Sequence, residues 1–292
     1  SYMEKKFHYY TIMTTGRTGS DYLQSCLDNV PGLITLTGKT FFKNFFSQSK
    51  FHLIKNNKEK VIKKFLVSYK NLFDNDILEN KKINIDKIKF KKKFLKNVKK
   101  INLNEKNFIS NIFIAFEETT RNHLNKVKSI VNHSHSLEET KYFLKLFPKA
   151  KLIVTIRDPL ENLRSGIVNW KKYTNDNLDR SHNFFYTYRI LRDLNFSQKI
   201  KNKKLYVKLE NSFRLSEKKK ILKFLNLNYS KKINIATYNG IPWIGDKLSQ
   251  TRTVDGSFNK KVLHKKAHEF FTKKDLFLLK YFYRKYQKFG YH

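Results

Sequence analysis

Short apolar runs alternate along this chain with longer stretches of helical periodicity. Residues 7–15 (FHYYTIMTT) are aromatic and β-branched and stop at Gly16, which predicts a buried strand. Residues 20–29 predict a helix, with Tyr22, Leu23 and Leu27 on its apolar side, Ser20 at its N-cap and Pro31-Gly32 after its end. Residues 33–37 (LITLT) predict a second strand. Residues 108–123 carry Ile109, Ile112, Phe113 and Phe116 on one helical stripe, which places Glu117 and Glu118 on the surface. Residues 128–132 predict a strand, and His133-Ser134-His135-Ser136 a polar loop. A helix over 137–147 follows, with Ser136 and Glu139 at capping-box spacing. Residues 151–156 (KLIVTI) are almost continuously apolar, as in a parallel strand covered on both faces. A helix over 160–170 and a last strand over 205–209 complete the pattern.

Strands alternating with helices imply an α/β fold, a three-layer sandwich around a central parallel sheet. Residues 41–106 interrupt it. They are Lys- and Asn-rich, and their Phe, Leu and Ile spacing predicts several short amphipathic helices, a helical insertion that shapes an acceptor pocket or covers the sheet. No internal repeat or linker marks a second domain, so residues 3–292 read as one. Ser1-Tyr2 ahead of Met3 reads as an added remnant.

Charge sharpens the picture only partly. With 61 Lys and Arg against 24 Asp and Glu, the formal net charge is +37, which favours anionic ligands. The general Lys, Asn, Ile and Phe bias explains the excess equally well. The single cysteine, Cys26, excludes an intrachain disulfide and a multi-cysteine metal site, and its helical neighbours place it in the core. No apolar run reaches the ~18–20 residues of a membrane span, and no secretory leader opens the chain; a cytoplasmic, reducing setting is expected.

The chemistry concentrates where strands end. Gly16-Arg17-Thr18-Gly19-Ser20 joins the first strand to the first helix. Glycines allow a tight loop, helix-start N–H groups and the helix dipole attract an anion, and Arg17 can pair with phosphate or sulfate. The same residues also fit a plain βα turn. They do not form a Walker A loop, because Ser20-Asp21 follows Gly19 where that motif needs Lys then Ser or Thr. Arg157 stands at the carboxyl end of the 151–156 strand, where open α/β sheets bind ligands, and Ser165 lies two turns into the next helix.

Together these segments resemble the sulfotransferase superfamily. Gly16 to Leu23 is similar to its 5′-phosphosulfate loop, most like that of bacterial carbohydrate and nodulation-factor sulfotransferases. Phe147 to Pro159 with Ser165 resembles its 3′-phosphate motif, an Arg before x-Pro with a Ser eight residues later. Residues 205–213 resemble the strand-then-Glu segment that follows in the family. The resemblance implies 3′-phosphoadenosine-5′-phosphosulfate as donor, adenosine 3′,5′-bisphosphate as product, and no metal. It assigns the 5′ side to Arg17, Thr18, Gly19, Ser20 and the backbone of Asp21, and the 3′-phosphate to Arg157 and Ser165. His135 matches the catalytic His of a family Lys-x-His and His133 its Lys; either imidazole suits a general base. Gly38-Lys39 stands where some bacterial relatives have Gly-Glu; a lysine does not serve as that base without a strongly depressed pKa, and the resemblance instead leaves Lys39 to touch the sulfuryl group. A late loop, residues 241–260, offers Trp243 for adenine stacking or for core packing and Arg252 for the 3′-phosphate. The acceptor is then a hydroxyl on a carbohydrate, another small metabolite or a lipid headgroup. A kinase of related topology and a basic nucleic-acid-binding module remain as alternatives, though no nucleic-acid motif is present.

Overall fold

The computed structural model describes residues 7–78, 81–121, 123–174, 180–245 and 255–291. Five parallel strands form the central sheet: β1 (His8–Thr14), β2 (Leu33–Ile34), β5 (Ser129–Ser134), β6 (Lys151–Ile156) and β7 (Lys204–Lys208), in the order β2-β5-β1-β6-β7. Helix α1 (Ser20–Leu27) links β1 to β2. Between β2 and β5 come α2 (Phe42–Gln48), α3 (Phe51–Ile54), α4 (Lys58–Ser68), α5 (Lys70–Phe73), a hairpin of β3 (Asp74–Leu78) and β4 (Lys81–Asn84), α6 (Lys87–Val98) and α7 (Glu105–Thr120). Helix α8 (Leu137–Leu146) precedes β6. Helices α9 (Pro159–Thr174) and α10 (Arg180–Lys199) precede β7, and α11 (Leu215–Phe224) follows it. A short hairpin, β8 (Thr237–Tyr238) with β9 (Ile241–Pro242), and α12 (Ala267–Phe270), α13 (Lys273–Leu278) and α14 (Lys280–Arg284) end the chain.

The strand period of two sorts the core into layers. Tyr10 and Ile12 of β1, Val131, Ile153 and Val207 share one cluster with Leu23, Leu27, Ile221 and Leu222 from α1 and α11. Met13, Leu152, Val154 and Ile156 pack on the other face with Leu163, Ile167, Ile190 and Leu194 from α9 and α10. The sheet is therefore covered on both sides, which is why β6 reads as a continuous apolar run. From β1 the chain runs past β5 to β2, whereas β5 connects across β1 to β6, so the direction of the strand order reverses at β1 and its carboxyl end is a topological switch point.

The insertion shares its core with the sheet. Ile34 and Ile130 belong to the same cluster as Phe42, Phe45, Phe65, Phe90 and Phe108. Phe45 stacks on Phe108 at 5.4 Å between ring centres, and Phe73 meets Phe90 edge-on at 4.7 Å. Truncating a wholly buried ring such as Phe108 costs about 3–5 kcal/mol.

Several local expectations change. The β3–β4 hairpin was not legible, because residues 74–84 carry no alternating apolar pattern. Only Leu33 and Ile34 pair in β2, since Thr35 and Leu36 already turn to hydrogen-bond Gln24. Ser20 is the first helical residue, not the cap; Gly19 holds the N-cap position with φ 78°. Strand β5 runs on through Ser134, so His133 is buried in the sheet and is not a loop residue. Glu117 and Glu118 are buried: Glu117 pairs with Arg121 at 2.9 Å, and Glu118 accepts from Asn97 at 2.6 Å. Ser136 caps α8 through Glu139 N–H at 3.2 Å, but the Glu139 carboxylate turns away. It accepts instead from Lys43 and Asn44 N–H at 2.9 and 3.1 Å, capping α2, whose own N-cap residue Phe41 has no side-chain oxygen.

Candidate active site

The carboxyl ends of β1, β5 and β6 open into a cavity of about 730 Å³, within the ~300–1,000 Å³ typical of small-molecule sites. Among the described residues, seven Lys or Arg side chains line it against one carboxylate, Asp21, so its field favours anions. Arg17, Thr18, Gly19, Ser20, Asp21, Lys39, His135, Arg157, Ser165 and Trp243 all border it. His133 does not. Arg252 lies outside the described residues.

The β1–α1 loop is held rigidly from below. Gly16 has φ 117°, and a Cβ there would come within 2.7 Å of Asn162 Oδ1; a Cβ on Gly19, at φ 78°, would collide with Leu209. Both positions thus require glycine. Asn162 Oδ1 accepts from Arg17 N–H at 2.9 Å, and its Nδ2 donates to Thr15 C=O at 2.9 Å. The Thr18 hydroxyl turns inward, 2.6 Å from that of Thr155 and 3.0 Å from that of Thr14. It shapes the loop from beneath the cavity floor. The first-turn N–H groups of α1 have no carbonyl one turn behind them, leaving an anion-directed end beside Arg17.

Sequence reasoning missed Asn162, although a signal existed. Asn162, Ser165 and Asn169 recur at i, i+3 and i+7 on an otherwise amphipathic helix, and all three line the cavity. Arg164, Arg189, Lys261 and Lys266 were missed as well. Nothing local distinguishes them from the surface lysines elsewhere in the chain.

Arg157 is buried, and so is its neighbour Asp158. Burial lowers the guanidinium pKa from its usual value, while Glu161 and Glu210 oppose the shift. Its Nη2 donates to Val262 C=O at 2.7 Å, fastening a late segment whose Ser257, Phe258 and Lys261 border the cavity. Glu210 in turn accepts from Asp158 N–H at 2.8 Å and from the Tyr291 hydroxyl at 2.7 Å, fixing the start of α9. Trp243 is half-buried: it packs on Tyr238 at 5.9 Å and also faces the cavity.

A charged cluster stands beside the loop. Lys39 Nζ lies 3.1 Å from Asp21 Oδ2 and 3.4 Å from His135 Nε2. Burial opposes the Asp21 carboxylate, but Lys39 with the two histidines outweighs it and holds the pKa below the ordinary value. Gln24 ties the cluster together. Its amide N–H₂ donates to Leu36 and Gly38 C=O, both at 2.9 Å, which aims its oxygen at His133 Nδ1, 2.9 Å away. His133 therefore carries its proton on Nδ1. Burial and then Lys39, opposed by Asp21, push its pKa down to about 4. For His135, burial and Lys39 push it down to about 3, so both rings are neutral near pH 7. Ligand atoms of Asp21, His133 and His135 lie within 4.8 Å of one another, a spacing fit for a metal ion. The Lys39 ammonium already sits against two of these groups, however, and the His133 Nδ1 proton is engaged by Gln24, so the cluster is better matched to a fixed amine cation than to a metal.

The described residues contain no helix long and apolar enough to cross a membrane. Among solved structures, the sulfotransferase domain of the curacin biosynthetic pathway superposes with a TM-score of 0.52 at 14% identity, covering 98% of this chain and 99% of that domain. The sulfotransferase domain of the Synechococcus PCC 7002 olefin synthase matches with a TM-score of 0.44 at 14% identity, over 89% and 84% of the two chains. Sulfotransferase STF9 from Mycobacterium avium matches with a TM-score of 0.41 at 12% identity, over 80% and 67%. No curated protein matches by sequence. The sequence profile of the family described as "Sulfotransferase family" does match, over residues 11–230. That span exceeds half of the chain and takes in the glycine loop, Lys39, His135, Arg157 and Ser165, and the chain accordingly belongs to the sulfotransferase family.

Proposed function

We propose that this enzyme moves a sulfuryl group from 3′-phosphoadenosine-5′-phosphosulfate to an acceptor hydroxyl, on a carbohydrate, another small metabolite or a lipid headgroup. One observation carries the reading: the Arg17 loop and the Arg157–Ser165 pair open onto a single cation-lined cavity. Two separated anion sites, at neighbouring strand ends, suit a nucleotide charged at both its 5′ and 3′ positions.

The donor supplies an activated sulfuryl group whose transfer requires only alignment, charge stabilisation and removal of the acceptor proton. Arg17 and the N–H groups of Gly19, Ser20 and Asp21 hold the 5′ side. The Thr18 hydroxyl and the Asp21 carboxylate act indirectly, one locking the loop and the other anchoring Lys39. Arg157 and Ser165 hold the 3′-phosphate, and Trp243 offers a ring face to the base. His135 is the general base because, of the two histidines, it is the one that reaches the cavity, and it is neutral there. His133, sealed in β5, positions Asp21 and Gln24. Lys39 stabilises charge on the sulfuryl oxygens, an electrostatic role whose loss typically costs ~10²–10³ in rate.

Binding tests the reading directly. Adenosine 3′,5′-bisphosphate raises the melting temperature without added metal, and ATP with Mg²⁺ does so less. Arg17→Ala abolishes turnover of labelled donor. Preference for ATP with Mg²⁺, or near-normal turnover by Arg17→Ala, overturns the assignment.

A further inference from the structure

Helices α9 and α10 carry the site outward to a surface that the chemistry above does not use. Trp170, Tyr186 and Arg189 line the cavity. Beside them on α10, Phe184, Phe185 and Tyr188 are 65%, 61% and 66% exposed, and Trp170 on α9 is 41% exposed. Positions 184, 185 and 188 share one helix face, so the rings stand together. This is a cluster of large aromatics in water, not a single stray residue. Rings two-thirds exposed protrude; they do not wall a groove that clamps a peptide or a nucleic acid strand. Among the described residues two exposed cations, Lys171 and Arg189, flank them on the same two helices. Protruding aromatics flanked by exposed cations match the interface of an anionic bilayer, where rings enter the headgroup layer and cations meet lipid phosphates.

We propose that the Trp170, Phe184, Phe185 and Tyr188 face docks this enzyme on an anionic phospholipid surface. The acceptor hydroxyl is then presented from the headgroup layer to the cavity mouth, so the acceptor is a lipid headgroup. The docking stands on the surface alone; the acceptor class rests on the sulfuryl-transfer reading.

The test is flotation with phosphatidylcholine vesicles, with and without equal phosphatidylglycerol, at 0.15 M salt. The wild type floats with the anionic vesicles, and Phe184→Ser/Phe185→Ser/Tyr188→Ser binds them roughly 100-fold more weakly, as expected when three inserted rings are removed. These side chains are exposed, so the triple variant folds; an unchanged thermal shift with adenosine 3′,5′-bisphosphate verifies this. Only two tryptophans exist, so in Trp243→Phe the emission of Trp170 alone shifts to the blue on anionic vesicles. Equal binding by wild type and triple variant, no flotation, or a blue shift produced by an oligonucleotide or an acidic protein but not by vesicles overturns the docking. Failure of adenosine 3′,5′-bisphosphate to bind the wild type would instead sink the donor assignment and leave the docking result standing.

Discussion

Replacing Lys39 by Met removes a positive charge that His135 feels at 3.4 Å. Coulomb's law at that distance gives about 5 kcal/mol at an effective dielectric of ~20 and about 1 kcal/mol at that of water. Lys39 is partly open to solvent, so screening favours the lower part of this range. At ~1.4 kcal/mol per pKa unit, the His135 pKa should rise from about 3 by roughly one to three units. Asp21 loses its amine partner in the same variant and pulls the imidazole in the same direction. The measurement is a carbon-detected histidine titration by NMR, with the His135 resonance identified by its loss in His135→Asn. Activity should follow: a base works deprotonated, so the acidic limb of the kcat/KM profile moves toward neutral pH in Lys39→Met. A His135 pKa equal to or below that of the wild type would show that the ammonium and the imidazole are not coupled, and would remove Lys39 from the account of the base.

Acid should destabilise the fold through His133. Its folded pKa of about 4 lies below the ordinary 6.5, so between these values the unfolded chain binds a proton that the folded chain refuses. Stability is therefore whole above about pH 6.5 and falls as the pH drops toward 4, by about 3 kcal/mol over the interval. Urea denaturation across this range should show a steeper slope in wild type than in His133→Asn, which keeps the contribution of His135; equal slopes in both would refute it. Gly19→Ala forces a left-handed backbone on a residue with a Cβ, at ~1–2 kcal/mol, and pushes on Leu209; calorimetry should show lower stability and weaker adenosine 3′,5′-bisphosphate binding. Asn162→Ala strands Arg17 N–H and Thr15 C=O, costing about 1–3 kcal/mol and loosening the loop, whereas Asn162→Asp keeps the acceptor and should recover Arg17 N–H pairing. Identical bisphosphate affinities for the two variants would argue against that role for Asn162.

Much of the donor end was legible because its signals are local. A strand that stops at Gly16, a helix that starts beyond Gly19 and an Arg at the end of an apolar strand each sit within a dozen residues, and backbone sterics and helix polarity act over that distance. The same holds for the α/β alternation and for Cys26, which is buried as its helical neighbours imply. Failures came where partners are remote. Glu118 looks exposed in sequence, yet Asn97, 21 residues earlier, donates to its carboxylate in the interior. Glu139 looks like half of a capping box, yet it caps a helix 95 residues earlier.

The sequence by itself determined the layered α/β architecture and placed the glycine loop and Arg157 at strand ends, because periodicity and turn chemistry are properties of neighbouring residues; the pairing of Arg157 with Ser165 came from the family resemblance. Only the tertiary structure decided which histidine faces the cavity. His133 and His135 differ by two positions, and the distinction lies in the strand's length: β5 extends far enough to bury His133 against Gln24, and ends at Ser134, leaving His135 beside Lys39. Lys39 and Asp21 likewise meet only because β2 and α1 return to the same sheet edge, and that contact sets the protonation of the cluster. Such long-range charge pairing depends on distance in space, which no local pattern records.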